Sequence, residues 1–326
     1  MGVAVAVTGP TGDIGISAVT ALEREPAVAS IVGMARRPFD PAIYGWSKTT
    51  YQRGNILDRD AVDALVASAD VVVHLAFIKL GSRAESAQVN LQGARNVFEA
   101  TVAARRPRRL VYTSSVAAYG YHSGNPAAIT EDVPARGSPE HYYSEQKAQS
   151  EAALAKITED SLLQVFVLRP CIVAGPHAYS LAEAMPCRQV PAPVRALSRL
   201  VPMLKPIVPD PGVPVQLVHH DDVAAAIALA ATAPVPAGAY NIAADGVVTI
   251  TDMARALGGR PVRVPAAAAS VASAAISRFP LVPPLLEWLH AVRQPVVMDT
   301  AKAKRELGWS PTHSSADTLS ALAAAI

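Results

Sequence analysis

The segment Val3-Ala-Val-Ala-Val7, Thr8-Gly9-Pro-Thr11-Gly12-Asp13-Ile14-Gly15 constrains this chain more than any other. An apolar, β-branched run enters glycines at three-residue spacing, and an apolar helical pattern follows. That order reads as strand, tight turn, helix. The glycines leave backbone N–H groups uncovered at a helix N-terminus, where a pyrophosphate binds well. A glycine trio alone says little. A strand before it and a helix after it are the context that a dinucleotide fingerprint requires.

The pattern repeats downstream. Residues 31–34, 70–76, 109–115 and 163–168 read as strands. Residues 60–67, 87–103 and 140–157 carry apolar positions at helical spacing. Such alternation predicts an α/β fold of Rossmann type: a doubly wound parallel sheet with helices on both faces. Beyond Arg169-Pro170 prolines become dense and periodicity fades until Pro214, as in a loop-rich cap. Residues 215–245 regain strand and helix character. The expected division is a dinucleotide-binding domain of residues 1–174 plus 215–245. Residues 175–214 plus 246–326 would form a smaller, mostly helical substrate lobe.

A chain of 326 residues is long enough for two such lobes. Its net charge of +2 and lack of a long basic run argue against a nucleic-acid partner. Arg105-Arg106-Pro-Arg108-Arg109 reads as a solvated helix end and turn. Cys171 and Cys187 show neither metal-ligand spacing nor a disulfide framework. With no signal-peptide pattern before the first strand, a cytoplasmic location is expected. The most apolar stretch, residues 265–292, is interrupted by Arg278, Glu287 and prolines before reaching membrane-spanning length. It reads as core- or dimer-facing helices. The expected partners are a small-molecule substrate and a second copy of the chain, with no integral membrane segment.

Tyr143 and Lys147 lie four apart on the predicted helix 140–157 and share a face. A free tyrosine is a poor acid–base group at neutral pH, with a pKa near ~10. A neighbouring ammonium favours the phenolate. A tyrosine so tuned can serve as proton donor in carbonyl reduction. Thr113-Ser114-Ser115 ends a strand upstream, where a hydroxyl can hold the substrate oxygen. Tyr44-Gly-Trp-Ser-Lys48 has the same spacing, but it sits among Pro38, Pro41 and Gly45 with no serine-bearing strand before it. It reads as surface.

Together these motifs resemble the extended short-chain dehydrogenase/reductases, the NAD-dependent epimerase/dehydratase family. The resemblance covers nearly the whole chain. It also rests on Gly54-Asn55-Ile56, His74-Leu75-Ala76-Phe77, Asn90 in Val-Asn-x-x-Gly, Ser114-Ser115-x-x-x-Tyr-Gly and Leu168-Arg-Pro170. Further matches are His220-x-Asp222-Val-Ala and Lys302-Ala-x-x-Glu-Leu-Gly-Trp309-x-Pro. The resemblance implies that Ser115 binds the reacting oxygen, with Ser114 as fallback. Tyr143 would be the acid–base, and Lys147 would tune it and bind the nicotinamide ribose. Gly9, Thr11, Gly12, Asp13, Ile14 and Gly15 would form the pyrophosphate turn. Asn55 and Ile56 would meet adenine, and Leu75 and Ala76 would line the adenosine. Asn90 would support the active site near the cofactor, and Pro170 and Ile172 would lie where the chain passes the nicotinamide.

Departures from the family pattern narrow the function. Val116 and Ala117 stand where the dehydratases carry an acid pair, so water elimination is not expected. Phe77 is bulky where a small residue is usual. Pro214-Val-Gln216-Leu-Val replaces a run that supplies a diphosphate-binding arginine. Arg188, Arg195, Arg199, Arg263 or Arg293 could substitute, although each reads first as a surface ion-pairing residue. An NAD site usually carries an acid about 20 residues after the glycines. Here the second strand runs into Arg36 and Arg37. Arginine suits a 2′-phosphate by charge and fork geometry. NADP is therefore the expected cofactor, Arg36 ahead of Arg37, with NAD as the alternative. The apolar stretches 185–215 and 281–289 suggest a lipophilic, non-nucleotide ketone or alcohol as substrate. The competing readings are a nucleotide-sugar epimerase with tightly bound NAD and a non-catalytic NADP-binding protein.

His219-His220-Asp221-Asp222 invites comparison with a metal site. Neighbours on a strand point to opposite faces, so the four are not expected to converge on an ion. Asp222 reads as a helix N-cap. Cys171, with no base nearby in sequence, reads as packing.

Overall fold

The computed structural model describes residues 2–78, 83–178, 180–185, 205–265 and 294–326. β1 (Val3–Thr8) feeds α1 (Gly15–Arg24). The alternation continues through β2 (Val28–Ala35), β3 (Thr49–Arg53), α2 (Arg59–Val66) and β4 (Val71–His74). It goes on through α3 (Arg83–Ala87), α4 (Ala94–Ala104), β5 (Arg109–Thr113), α5 (Tyr142–Thr158) and β6 (Gln164–Pro170). Next come β7 (Ile172–Ala174), α6 (Ser180–Ala184), β8 (Ile207–Asp210), β9 (Pro214–Val215) and β10 (Leu217–His219). The described chain ends with α7 (His220–Thr232), β11 (Gly238–Ile242), β12 (Val248–Thr249), α8 (Ile250–Ala256), β13 (Arg260–Arg263) and α9 (Ser315–Ala324).

Seven strands form one Rossmann-like parallel sheet in the order β11-β6-β5-β4-β1-β2-β3. Strand alternation sets the layers, because successive side chains leave the sheet on opposite faces. Val5, Val7, Val73 and Phe166 pack with Ala18, Val19 and Leu22 of α1 and Val223 and Ile227 of α7. Ala6, Val72 and Leu110 pack on the other side with Val62 and Leu65 of α2 and Val97 and Phe98 of α4. Both faces are buried, which is why these strands read as continuous apolar runs. A third cluster unites Ala174, Val208, Leu217, Ile250, Met253, Leu319 and Leu322. It draws together β7, β8, β10, α8 and α9, so the chain beyond β6 builds a core of its own while β11 returns to the sheet. Cys171 is a buried free thiol, and burial pushes its pKa far up. No helix among the described residues is long and apolar enough to cross a membrane.

Three sequence expectations are corrected. β3, with sequence Thr-Thr-Tyr-Gln-Arg, was not anticipated; it is a sheet-edge strand with no buried residue. The helix expected at 87–103 is interrupted by a π-helical segment, Gln88–Gly93, that carries Asn90. Asp222 does not cap α7. His219 does, its side chain accepting from Asp221 N, because the strand ends at His219 and the helix starts one residue later. Asp222 is instead buried and accepts from the backbone N–H groups of Thr312 and His313.

Candidate active site

The glycine turn leaves β1 beside the end of β2, with Gly9 N donating to Met34 O at 3.0 Å. Gly9 sits at φ +75°, and a Cβ there would lie 2.8 Å from Ala76 N. A Cβ on Gly15 would lie 2.2 Å from Gly9 O. Both positions therefore demand glycine for the turn itself. A Cβ on Gly12 would make only an ordinary 3.7 Å contact, so that face stays open. The turn borders a cleft lined by Gly9, Thr11, Gly12, Arg36, Arg37, Asn55, Ile56, Leu75, Ala76, Phe77 and Ile78. Close-packed glycines and an open N-terminal turn are what a dinucleotide pyrophosphate needs, so these residues fit such a cofactor. Asp13, Ile14 and Gly15 do not line the cleft; they lead the turn into α1, whose N-cap position is Ile14.

The sequence did not signal how the end of β2 is held. Tyr51 OH donates to Ala35 O at 2.9 Å and also to Arg37 O. Arg53 Nε donates to Arg36 O at 3.0 Å. These bonds from β3 fix the backbone and leave both arginine side chains exposed beside the cleft.

Asn90 lies behind the cleft wall. Its amide makes bonds of 2.8 and 2.9 Å to Ile78 N and O, and one of 2.8 Å to Gln146 Oε1 on α5. It thus holds Ile78 rather than lining the cleft. Gln146 was missed, although it directly precedes Lys147. Pro170 is buried at the end of β6, and Ile172 packs against the third core cluster. The structure does not bring these two to the cleft lining.

Tyr143 and Lys147 lie in the first turns of α5. Ser144 Oγ donates to Ala117 O at 2.6 Å, holding that end of the helix against the turn Val116–Tyr119. Ser115 caps this turn, its Oγ accepting from Ala117 N at 3.2 Å. That bond uses a lone pair, so the hydroxyl proton remains to be donated. Lys147 is buried, and its ammonium donates to Thr113 O at 2.8 Å. The ammonium also sits 3.7 Å over the Phe77 ring. The edge-to-face Phe77–Tyr143 pair has centroids 5.4 Å apart. Phe77 therefore joins the cofactor cleft to the Tyr–Lys pair through an aromatic pair and a cation–π contact.

Ser114 is committed elsewhere. Its Oγ donates to Glu151, whose carboxylate also takes bonds of 3.1 and 2.6 Å from Arg169. Arg169 further donates to Tyr119 OH at 2.8 Å. The Ser114 fallback is thus the weaker assignment, and Leu168-Arg-Pro170 gains a structural role. Glu151 was missed, although it follows Lys147 by one helical turn on the same face.

Burial, and then the Lys147 charge, push His74 down to about 3, so it is neutral. Its Nδ1 lies 2.7 Å from Thr8 Oγ1. Burial raises the pKa of Tyr112 and Tyr121, which stay protonated. Tyr44 is 40% exposed and stacks with Phe39 and Trp46 at the surface.

Of His219, His220, Asp221 and Asp222, the last stands apart, bonded to Thr312 and His313, while strand alternation does not separate the other three. The strand-to-helix junction turns the side chains together, and one ligating atom from each lies within 4.8 Å of the others. The expectations for Cys187, Arg188, Arg195, Arg199, Arg293, most of the 185–215 cap and the 265–292 stretch lie outside the described residues.

Sequence and structure comparisons bear on the family and the fold. The profile of the NAD dependent epimerase/dehydratase family matches residues 5–243. An uncharacterised Mycobacterium tuberculosis protein is 26% identical over 319 residues, covering 94% of this chain and 80% of that protein. Human 3 beta-hydroxysteroid dehydrogenase type 7 is 33% identical over 165 residues, covering 44% of this chain and 42% of that enzyme. The crystal structure of the Bordetella bronchiseptica enzyme WbmG in complex with NAD has the same fold, with a TM-score of 0.71 at 20% identity. That match covers 99% of this chain and 94% of that one.

Proposed function

This chain belongs to the NAD dependent epimerase/dehydratase family, and from that premise we propose that it is an NADP-dependent oxidoreductase. It reduces a carbonyl, or oxidises the corresponding alcohol, on a small lipophilic substrate that is not a nucleotide. One observation carries the reading. Lys147 is tied to the end of β5 and, through Phe77, to the cleft that the glycine turn borders.

When bound in this cleft, a nicotinamide cofactor would supply or accept the hydride. Tyr143 gives the proton to the developing alkoxide, or takes it in the reverse direction. Ser115 donates a hydrogen bond from its hydroxyl to the same oxygen and orients it. Lys147 places a positive charge one helical turn from Tyr143 on the same face of α5. Gly9, Thr11 and Gly12 would hold the pyrophosphate, Asn55, Ile56, Leu75 and Ala76 the adenosine, and Arg36 and Arg37 a 2′-phosphate.

Gln216 supports the non-nucleotide substrate. It lies in the run Pro214–Val218 that replaces the family's arginine-bearing one, and its amide bonds Met298 N and O at 2.7 and 3.2 Å. Arg263 is held by the buried Asp210 at 3.1 Å. The similarity to a hydroxysteroid dehydrogenase over part of the chain points the same way. Val116 and Ala117 carry no acid for water elimination. A second reading, an epimerase that retains NAD, is favoured by the family description and by the NAD complex of the Bordetella enzyme.

A substrate panel separates the two. Hydrophobic ketones and UDP- and dTDP-sugars are offered with NADPH or NADH while nicotinamide absorbance is followed, and denatured protein is assayed for released NAD. Turnover of ketones with added NADPH supports the reductase. Retained NAD together with sugar-nucleotide binding overturns it in favour of the epimerase.

A further inference from the structure

The helix α5 carries Tyr143, yet little of its grip on the sheet is apolar. Its buried residues are Ser144, Gln146, Lys147, Ala148, Ser150 and Leu154, of which only Ala148 and Leu154 lack a polar group. So narrow an apolar face leaves no hydrophobic stripe to fix the helix's rotation or its slide along the sheet. Directional hydrogen bonds fix both instead.

Ser144, Lys147 and Glu151 are spaced three and four apart, so they run along one face of α5. All three reach the short stretch of chain that carries Ser115. Ser144 Oγ donates to Ala117 O at 2.6 Å, and Lys147 donates to Thr113 O at 2.8 Å. Glu151 accepts from Ser114 Oγ. Thr113 ends β5, and Ser114 and Ser115 follow it directly.

Of the three, Glu151 is the one held from behind. Arg169 on β6 meets its carboxylate as a fork, Nε at 3.1 Å and Nη2 at 2.6 Å, with both side chains buried. The same guanidinium donates to Tyr119 OH at 2.8 Å, and that hydroxyl donates to Asn241 Oδ1 on β11 at 2.7 Å. The carboxylate is therefore a fixed point, tied to β6 and β11 as well as to the end of β5.

We propose that Glu151, acting through Ser114, is a positioning residue that sets the register of α5 against the end of β5 and so places Tyr143 toward Ser115. This rests on the reading of Tyr143 as proton donor and Ser115 as the hydroxyl that holds the reacting oxygen. Neither Glu151 nor Ser114 touches the reacting atoms. Glu151 lies about two helical turns from Tyr143, roughly 12 Å along the axis at 1.5 Å per residue. Releasing the helix at that distance moves the phenol as the end of a lever, while the glycine turn, which leads into α1, stays in place. A misplacement of about 1 Å costs ~10²-fold in rate.

The position of Tyr143 is read without a substrate. The full chain is prepared with 3-fluorotyrosine, and the ¹⁹F resonances of Tyr143 and Tyr44 are identified by their loss in Tyr143→Phe and Tyr44→Phe. Ser114→Ala removes the contact to Glu151 and leaves the Glu151–Arg169 pair intact. It should shift the Tyr143 resonance, leave that of Tyr44 unmoved and bind NADPH as wild type does. Because the lost bond lies at Glu151, that shift reports movement of the helix and not a lost contact of the ring. Ser114→Thr, which restores a hydroxyl, should return the resonance toward its wild-type position. On a ketone that wild type turns over with NADPH, Ser114→Ala should lower kcat about tenfold or more with KM unchanged. A role in stability alone would lower the melting temperature and leave the Tyr143 resonance where it was. Should circular dichroism show that Ser114→Ala does not fold, Glu151→Asp decides in its place, since it keeps the charge facing Arg169 and shortens the reach to Ser114. The proposal is overturned if the folded variant keeps the wild-type Tyr143 resonance. If the resonance moves and no ketone is turned over, the positioning role stands and the assigned reaction falls.

Discussion

Replacing Arg36 and Arg37 together by alanine tests the cofactor assignment through a quantity the structure bounds. Both side chains stand exposed at the end of β2, on backbone fixed by Tyr51 and Arg53. No carboxylate pairs with either guanidinium among the described residues. They are therefore available to a phosphate without first breaking an ion pair. A hydrogen bond to a charged group contributes about 1.5–3 kcal/mol net, and exposure to solvent puts these two at the low end. At about 1.4 kcal/mol each, the pair is worth a preference for NADPH over NADH of about 10²-fold. Wild type should show that preference in fluorescence titrations at low salt. The double variant should lose it by weakening NADPH while leaving NADH unchanged. Because the contacts are exposed, the preference should shrink as the Debye length falls from about 30 Å at 0.01 M salt to about 3 Å at 1 M. Equal or tighter NADH binding by wild type at low salt would refute the reasoning, as would a double variant that keeps the preference.

Three further outcomes follow from the same geometry. Tyr143→Phe keeps the ring that packs on Phe77 and removes only the hydroxyl. Turnover should fall about 10²–10⁴-fold with cofactor binding retained, while Tyr44→Phe, at the surface, stays active. Glu151→Ala leaves the Arg169 guanidinium buried without its carboxylate, and urea unfolding should register a loss of about 3–5 kcal/mol. A loss under about 1 kcal/mol would mean that the ion pair is not a buried one. His74, at about 3 when folded against 6.5 as an ordinary histidine, binds its proton more readily in the unfolded chain. Its contribution is therefore intact above pH 6.5 and is lost as pH falls from there toward 3, by up to about 1.4 kcal/mol per pH unit. His74→Asn should flatten the acid limb of a stability–pH profile by one proton's worth, and an unchanged slope would contradict the assignment.

What the sequence disclosed and what it hid divide along a physical line. The sheet was legible because each central strand is buried on both faces, and a stretch such as Val71-Val-Val-His74 has few alternatives. The glycine turn was legible because steric demand is local: Gly9 and Gly15 collide with atoms of the same turn or the adjoining strand end. Tyr143 and Lys147 were legible because helical spacing alone puts them on one face. β3 was not, because an edge strand with a polar outer face has no apolar pattern to betray it. Nor was the structural reason for preferring Ser115 over Ser114. Ser114 is engaged by Glu151 of α5, which Arg169 of β6 holds in turn. The approach of His219, His220 and Asp221 has the same origin. Strand alternation holds only while the strand lasts, and here it ends at His219 itself, where the next backbone turn is already helical. A rule that depends on where an element stops fails where boundaries are hardest to read. Sequence can therefore be trusted for chemistry set within one element. Chemistry assembled at element ends has to be read from the structure, and in this fold the carboxyl ends of the strands are where the cofactor cleft, the Ser115 turn and the histidine cluster all lie.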